Sequence, residues 1–206
     1  MPTAGPAAHA WILAHDTEAA AFAGQLRAQG VGTSLLVDTY DIAAGIETAV
    51  AAARELGASG PGAIRLDSGD PRGEVPAARS LLDRLGATET RIVVTGDLDE
   101  HTIAELAGHP VDVYGVGTQL VTGSGAPTAG MVYKLVAVEG PDGAMRPVAK
   151  RSAGKGFVGG RKWAWRIRGV GGTAVAEYGG LDPTAPPGGA RPPLHRPGPA
   201  RRCPRR

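Results

Sequence analysis

Short aliphatic runs that alternate with Ala- and Leu-rich stretches of helical period constrain the fold of this 206-residue chain more than any other feature. The four runs cover residues 34–37, 63–66, 91–94 and 111–116. The stretches between them predict helices over residues 42–56, 74–85 and 99–107. Strand and helix signals that alternate in this way are typical of βα units. The sequence therefore predicts an α/β fold with a parallel sheet.

The pattern changes after residue 130. Residues 131–138 and 161–168 predict the strands of antiparallel β-ribbons, because apolar and polar residues alternate in them. Residues 181–206 are rich in Pro and Arg and predict a disordered tail. We therefore expect three parts: a partial α/β barrel with the site motifs, a ribbon segment with a basic Gly-rich loop, and the tail, over residues 1–130, 131–180 and 181–206.

Composition excludes several classes of protein. With Cys203 as its single cysteine, the chain can form neither an internal disulfide nor a Cys-based zinc site. No apolar run approaches the roughly 18 residues of a membrane-spanning helix, so we expect a cytoplasmic protein without a membrane partner. The net charge is +2, but the excess Arg lies in the tail, which lacks interleaved aromatic residues. We expect no nucleic-acid partner.

Small, acidic or hydroxyl residues follow all four aliphatic runs. Asp38 follows the first, and residues 67–70 (DSGD), 95–97 (TGD) and 117–118 (GT) follow the others. Carboxylates can accept hydrogen bonds from ribose hydroxyls or hold Mg²⁺ through its waters, and Gly beside Thr lets backbone N–H groups approach an anion. Any one of these residues also fits a helix N-cap or a turn. Since the carboxyl ends of parallel strands share one edge, the set predicts a sugar-phosphate site.

Five motifs in order carry a resemblance to a known family. They are LLVDTYD at 35–41, IRLDSGD at 64–70, TGDLDE at 95–100, YGVGTQLVT at 114–122 and KRSAGKGFVGGRKW at 150–163. Residues 8–172 resemble the C-terminal half of nicotinate phosphoribosyltransferase. The resemblance implies part of an irregular α/β barrel of the type II phosphoribosyltransferase kind. It also implies synthesis of nicotinate mononucleotide and pyrophosphate from nicotinate and phosphoribosyl pyrophosphate, coupled to ATP hydrolysis through a phosphorylated histidine.

The resemblance assigns catalytic roles to two residues. The family's histidine motif matches residues 5–9 (GPAAH), so His9 is the implied phospho-acceptor, and Pro6 stands where the family usually has Thr. Asp38 resembles the carboxylate that fixes the tautomer of this histidine through its other ring nitrogen.

The resemblance also assigns a set of substrate-binding residues. Arg65 and Asp67 resemble residues that face the pyridine and the ribose, and a structural ion pair is the alternative for Arg65. Gly96 and Asp97 resemble contacts to the ribose hydroxyls, and Gly117 and Thr118 resemble the cradle of the 5′-phosphate. The remaining implied contacts come from the DSGD motif, at Ser68, Gly69 and Asp70. Mg²⁺ and ATP are implied with them.

Two other functions remain open from the sequence. One is a catalytically incomplete fragment that at most binds sugar phosphates, and the other is a nicotinamide- or quinolinate-using phosphoribosyltransferase. Because the family has a further domain before the histidine motif, we expect the chain to act as a homodimer or with a complementing N-terminal half.

Overall fold

The four aliphatic runs form one parallel sheet in the computed structural model, which describes residues 7–123, 132–152, 156–169 and 171–181. The strands are β1 (Ser34–Leu36), β2 (Ala63–Leu66), β3 (Arg91–Val94) and β4 (Val113–Tyr114). They pair in sequence order, so that Leu35 lies opposite Ile64 and Ile64 opposite Ile92. The residues after the four strands therefore lie along the same edge of the sheet.

Six helices accompany the sheet. They are α1 (His9–Ala14), α2 (Glu18–Gln29), α3 (Ile42–Arg54), α4 (Pro71–Arg84), α5 (Glu100–Glu105) and α6 (Thr118–Thr122). Side-chain oxygens cap α2 to α5, because each accepts a hydrogen bond from a backbone N–H of the first turn; the capping residues are Thr17, Asp41, Asp70 and Asp99. The predicted helices 42–56, 74–85 and 99–107 are thus present with shifted ends.

Helices cover the sheet with aliphatic and small side chains. In the strands, Leu35, Ile64 and Ile92 are fully buried. They belong to one apolar core with residues of α2, α3 and α4, among them Phe22, Leu26, Ile46, Val50, Val75 and Leu82. This buried core is what holds the carboxyl ends of the strands in place.

Antiparallel ribbons follow the sheet, as predicted, but the first ribbon lies elsewhere in the sequence. β5 (Ala137–Glu139) pairs with β6 (Met145–Pro147), and β7 (Trp163–Arg168) pairs with β8 (Ala174–Gly180). The prediction of a strand over residues 131–138 was wrong for 132–136, which lie outside any strand. The hairpin turn explains the shift: Gly143 N–H donates to the carbonyl of Gly140 and Ala144 N–H to the Asp142 carboxylate, and this register places Val138 opposite Arg146.

The observed architecture is a mixed α/β fold with a parallel sheet and antiparallel ribbons. Within the described ranges the sheet has four strands and does not close into a barrel. The division at residues 130 and 180 stays a prediction. The predicted tail, apart from Leu181, lies outside the described residues, as do Gly5 and Pro6 of the histidine motif. None of the helices in the described part of the chain is long and apolar enough to cross a membrane.

Candidate active site

His9 lies against the carboxyl ends of β1 and β2. Its Nδ1 is 2.9 Å from Thr39 Oγ1, the hydroxyl that follows Asp38 in the chain. On the other side of the ring, Nε2 is 3.9 Å from Asp38 Oδ1 and 3.8 Å from Asp67 Oδ2. The imidazole is therefore set among acidic groups from two different strand ends.

Asp38 and Thr39 lie on opposite sides of the His9 ring. The Nδ1 partner of His9 is Thr39, and Asp38 lies on the Nε2 side of the ring. The Asp38 carboxylate is buried and held in place through Oδ2, which accepts hydrogen bonds from the Asp67 N–H at 3.2 Å and from the Ser68 hydroxyl. Its Oδ1 has no hydrogen-bond partner among the described residues. That oxygen faces His9 Nε2 at 3.9 Å.

Lys150 is a site residue that the sequence did not single out. Its Nζ lies 2.8 Å from His9 Nε2, 3.2 Å from Ser68 Oγ and 3.5 Å from Asp38 Oδ2. Two neighbouring contacts fix this stretch to the end of β1, since Arg151 N–H donates to the Thr39 carbonyl at 2.9 Å and the Ser152 hydroxyl donates to the Asp38 carbonyl. The KRS sequence at 150–152 could have pointed to Lys150. It lies in a stretch with several other basic residues, however, and the sequence alone does not show which of them reaches the site.

Arg65 and Asp67 form an ion pair beside the histidine. Arg65 Nη2 donates to Asp67 Oδ1 at 3.0 Å, and Arg65 Nε donates to Thr95 Oγ1 at 3.0 Å. Burial would raise the pKa of Asp67, but the Thr95 hydroxyl and the Arg65 guanidinium, which both donate to its carboxylate, outweigh burial and hold that pKa well below its usual range. Asp67 is therefore ionised next to the His9 ring throughout the physiological pH range.

The loop after β3 lies beside Asp67, and two of its residues have positive φ angles. Gly96 has φ of 106°, and a Cβ there would lie 2.5 Å from the Asp67 carbonyl oxygen, so the position requires glycine. Asp97, with φ of 54°, is the one non-glycine residue with positive φ in the described ranges. Such backbone persists where surrounding contacts impose it, and functional sites are a common place for it.

A cavity of about 790 Å³ joins these groups. Seven of the residues predicted from sequence line it: His9, Arg65, Asp67, Gly96, Asp97, Gly117 and Thr118. Lys134, Lys150 and Phe157 reach it from the ribbon segment (residues 132–181). The volume suits a ligand of nucleotide size, and basic, acidic and backbone groups all face it.

Gly69 and Asp70 do not join this cavity. Gly69 forms a tight turn with φ of 92°, and Asp70 caps α4 and pairs with the exposed Arg72 at 3.0 Å. Ser68 is turned toward Asp38 and Lys150. Of the DSGD motif, Asp67 faces the cavity. Gly69 and Asp70 instead form a turn and a helix N-cap, which was the alternative interpretation of these residues.

Sequence comparison with known proteins points to one enzyme family, although no protein-family model matches the chain. The chain is 55% identical over 186 residues to nicotinate phosphoribosyltransferase pncB1 of Mycobacterium tuberculosis, an alignment that covers 86% of this chain and 39% of the relative. It is 40% identical over 173 residues to the nicotinate phosphoribosyltransferase of Bacillus subtilis, over 81% of this chain and 35% of the relative.

One solved structure supports the fold. The crystal structure of nicotinate phosphoribosyltransferase from Porphyromonas gingivalis matches with a TM-score of 0.59 at 20% identity, over 75% of this chain and 44% of that one. This chain spans well under half the length of the relatives it matches. Its five motifs and its identity to the curated relatives agree, and the chain is homologous to part of the nicotinate phosphoribosyltransferases.

Proposed function

We propose that this chain carries the phosphohistidine and phosphoribosyl-binding part of a nicotinate phosphoribosyltransferase. The reaction joins nicotinate to phosphoribosyl pyrophosphate with hydrolysis of ATP, in NAD biosynthesis by salvage. One observation carries the proposal: His9 Nε2 lies within 4 Å of the carboxylates of Asp38 and Asp67, at a cavity that six of the nine predicted substrate-binding residues also line. A histidine in that position can act as a nucleophile toward a phosphoryl group while the carboxylates compensate the charge that the ring gains.

Arg65 and the carboxylates suit the second half of the reaction. Cleavage at the anomeric carbon builds oxocarbenium character, and Asp67 and Asp97 both line the cavity in which that positive charge would develop. The Arg65 guanidinium is a planar donor that can pair with the nicotinate carboxylate in bidentate fashion. Its present partners, Asp67 and Thr95, hold it at the cavity wall. The ion pair and the substrate-binding role of Arg65 are therefore compatible.

The phosphate groups of the substrates would be bound by the residues after β4 and by Mg²⁺. Gly117 and Thr118 begin α6 at the cavity, where backbone N–H groups are available to a 5′-phosphate. Among the described residues no three His, Cys, Asp or Glu side chains form a metal-binding group. Mg²⁺ is commonly held by one or two carboxylates together with substrate phosphates. Asp67 and Asp97 would supply those carboxylates, and the ion would neutralise charge on the leaving pyrophosphate.

Unpaired sheet edges support the need for a partner chain. In the described part of the chain, no strand pairs with the outer edges of β1 and β4. Two apolar side chains of α6 and two at residues 132–133 are between 75% and 97% exposed: Leu120, Val121, Val132 and Tyr133. A closed barrel would cover such an edge. We include in the proposal that a second copy or a complementing N-terminal half completes the barrel, in the cytoplasm where ATP is available.

Phosphorylation of His9 tests the proposal directly. The full chain is incubated with ATP and Mg²⁺, alone and with the part of the Mycobacterium tuberculosis relative that it does not match supplied as a separate polypeptide. Mass spectrometry under alkaline conditions should find phosphate on the His9 peptide and none on the peptide of His101, whose side chain is 86% exposed. His9→Gln should abolish the signal, and His101→Gln should leave it unchanged.

The pyridine substrate is tested in the same preparations. Nicotinate, nicotinamide and quinolinate are compared for pyridine mononucleotide formation from phosphoribosyl pyrophosphate, and we expect product from nicotinate. Preference for either other pyridine would assign the chain to a related transferase. Phosphate binding without phosphohistidine or product in either preparation would leave a sugar-phosphate-binding module and contradict the proposal.

A further inference from the structure

The electrostatic surroundings of His9 Nε2 oppose its use as a nucleophile. Two carboxylate oxygens lie 3.8 and 3.9 Å from this nitrogen, and Asp38 Oδ1 has no other hydrogen-bond partner among the described residues. Carboxylates at such distances favour a proton on the nitrogen that faces them. A protonated Nε2 has no lone pair to offer, so the same acidic groups that stabilise a phosphorylated ring would inactivate the free one.

Lys150 has the chemistry to remove this conflict. Its ammonium carries three N–H donors and no acceptor, so in the 2.8 Å contact with His9 the Nε2 atom must accept. The single ring proton then sits on Nδ1 and is donated to Thr39 Oγ1 at 2.9 Å. The Lys150 side chain also contacts Ser68 Oγ and Asp38 Oδ2, which fix its position beside the carboxylate it offsets.

We propose that Lys150 is a catalytic residue that keeps the lone pair on His9 Nε2 in the resting site and then pairs with the phosphoryl group that this nitrogen receives. The inference rests on the proposed function for its second half, while the first half concerns the free chain. It assigns to Lys150 the choice of tautomer, a role that the family resemblance had implied for the Asp38 carboxylate.

The transfer step balances without an additional base. The Nε2 lone pair forms a bond to the γ-phosphorus of ATP, and the bond from that phosphorus to the β–γ bridging oxygen breaks, so that ADP leaves with the electron pair. The Nδ1 proton stays on the ring. The ring becomes cationic, and Asp38 and Asp67 compensate its charge. Lys150 turns on its flexible stem from Nε2 to the phosphoryl oxygens, where its charge resists loss of the anion back to solvent.

Nitrogen NMR of the full chain labelled with ¹⁵N-histidine tests the first half without any substrate. At mildly alkaline pH, the His9 resonances, assigned by their loss in His9→Gln, should show an unprotonated Nε2 and a protonated Nδ1. In Lys150→Met we expect the proton to move to Nε2. In Lys150→Arg, which retains N–H donors, Nε2 should remain unprotonated. Lys162→Met is the matched control, because within the described ranges Lys162 donates to the carbonyls of Val158 and Gly160 and to no site residue.

The wild-type spectrum tests the assigned tautomer of His9 even if Lys150→Met fails to fold. A protonated Nε2 in the wild-type chain would overturn the assignment, as would an unprotonated Nε2 in a folded Lys150→Met chain. The second half is measured as the rate of phosphohistidine formation, which should fall roughly 100-fold in Lys150→Met and less in Lys150→Arg, with Lys162→Met unchanged. An unaltered rate in Lys150→Met would contradict the proposed contact between Lys150 and the phosphoryl group. The expected tautomers without phosphohistidine in wild type would reject the proposed function and leave the tautomer role intact.

Discussion

The sheet unit (residues 9–122) and the ribbon segment (residues 132–181) are stabilised in different ways. In the sheet unit, one continuous apolar core joins the strands to their helices, from Ile12 to Leu106. In the described part of the ribbon segment, the buried apolar side chains are those of Val148 and Trp165, and every residue of β6 is exposed. The ribbon segment nevertheless supplies Lys150. The sheet unit thus supplies the buried core and most of the site, while the ribbon segment adds Lys150 with little buried apolar surface, and substitutions should separate these contributions.

The largest expected difference concerns core packing. Leu35 is fully buried in β1, so Leu35→Ala should lower the free energy of unfolding by about 2–5 kcal/mol through lost burial and the cavity it leaves. Val175 in β8 is 63% exposed, and Val175→Ala should change it by less than about 0.5 kcal/mol. Denaturant unfolding followed by circular dichroism measures both. Similar losses in the two variants would show that the ribbon segment shares the core after all.

A smaller effect is expected at the strained loop of the site. In Gly96→Ala the new Cβ meets the Asp67 carbonyl oxygen, and the residue must keep φ of 106°, so we expect a loss of about 1–3 kcal/mol. The matched control is Gly108→Ala, where nothing lies within 4 Å of the added Cβ. Because Gly96 borders the cavity, its variant should also weaken binding of phosphoribosyl pyrophosphate in calorimetry. Equal stability and binding in both variants would contradict the strained geometry.

The smallest expected effect is a pH dependence that belongs to the sheet unit. Burial, with the nearby Asp41 and Asp38 carboxylates, raises the pKa of Glu18 from 4.5 to about 7. Between these values the folded chain holds a proton that the unfolded chain has lost, so stability falls as pH rises from 4.5 through 7. Glu18→Gln should remove that fall and gain about 1 kcal/mol at pH above 7, after allowance for solvent screening.

Unfolding measured across this pH range checks the expectation. At pH well below 4.5 the carboxyl is neutral in both states, so Glu18→Gln and wild type should then have the same pH dependence at this group. The exposed Glu47 in α3 offers a control, Glu47→Gln, which should leave the slope unchanged. A wild-type slope that persists in Glu18→Gln would assign the dependence to another group.

The sequence was most informative where burial dictates residue type. Strands β2 and β3 have the predicted bounds, because most of their residues are aliphatic and buried or half-buried, as is usual in a parallel sheet. Helices α1 and α2 were not predicted. The apolar residues of α2 are mostly alanines that occur on all sides of the helix, so no face stands out, and its burial against α3 depends on tertiary contacts. The position of β5 depends on a hairpin turn that alternation alone does not locate.

Some residues of the site could likewise be predicted from the sequence, and others could not. The strand-end residues could be predicted because a parallel sheet gathers its carboxyl ends, and His9 because a motif marks it. Thr39 and Lys150 could not, since their roles depend on which ring nitrogen each one faces. Asp38 shows the same limit: its place at the site followed from the motif, but its side of the imidazole depends on the Ser68 and Asp67 contacts that turn its carboxylate.

The contact between Lys150 and His9 joins residues 141 positions apart. During synthesis the chain grows from its N-terminus, and domains generally fold in that order. The four strands of the parallel sheet, the six helices and the apolar core all precede residue 123, so the scaffold has been synthesised before the lysine is added. Closing a loop of this length also carries a larger entropic cost than any contact between neighbouring strands. The sheet and its helices can therefore fold before the site is complete. Until Lys150 has been synthesised, His9 of the nascent chain lies beside the carboxylates of Asp38 and Asp67 without the lysine ammonium.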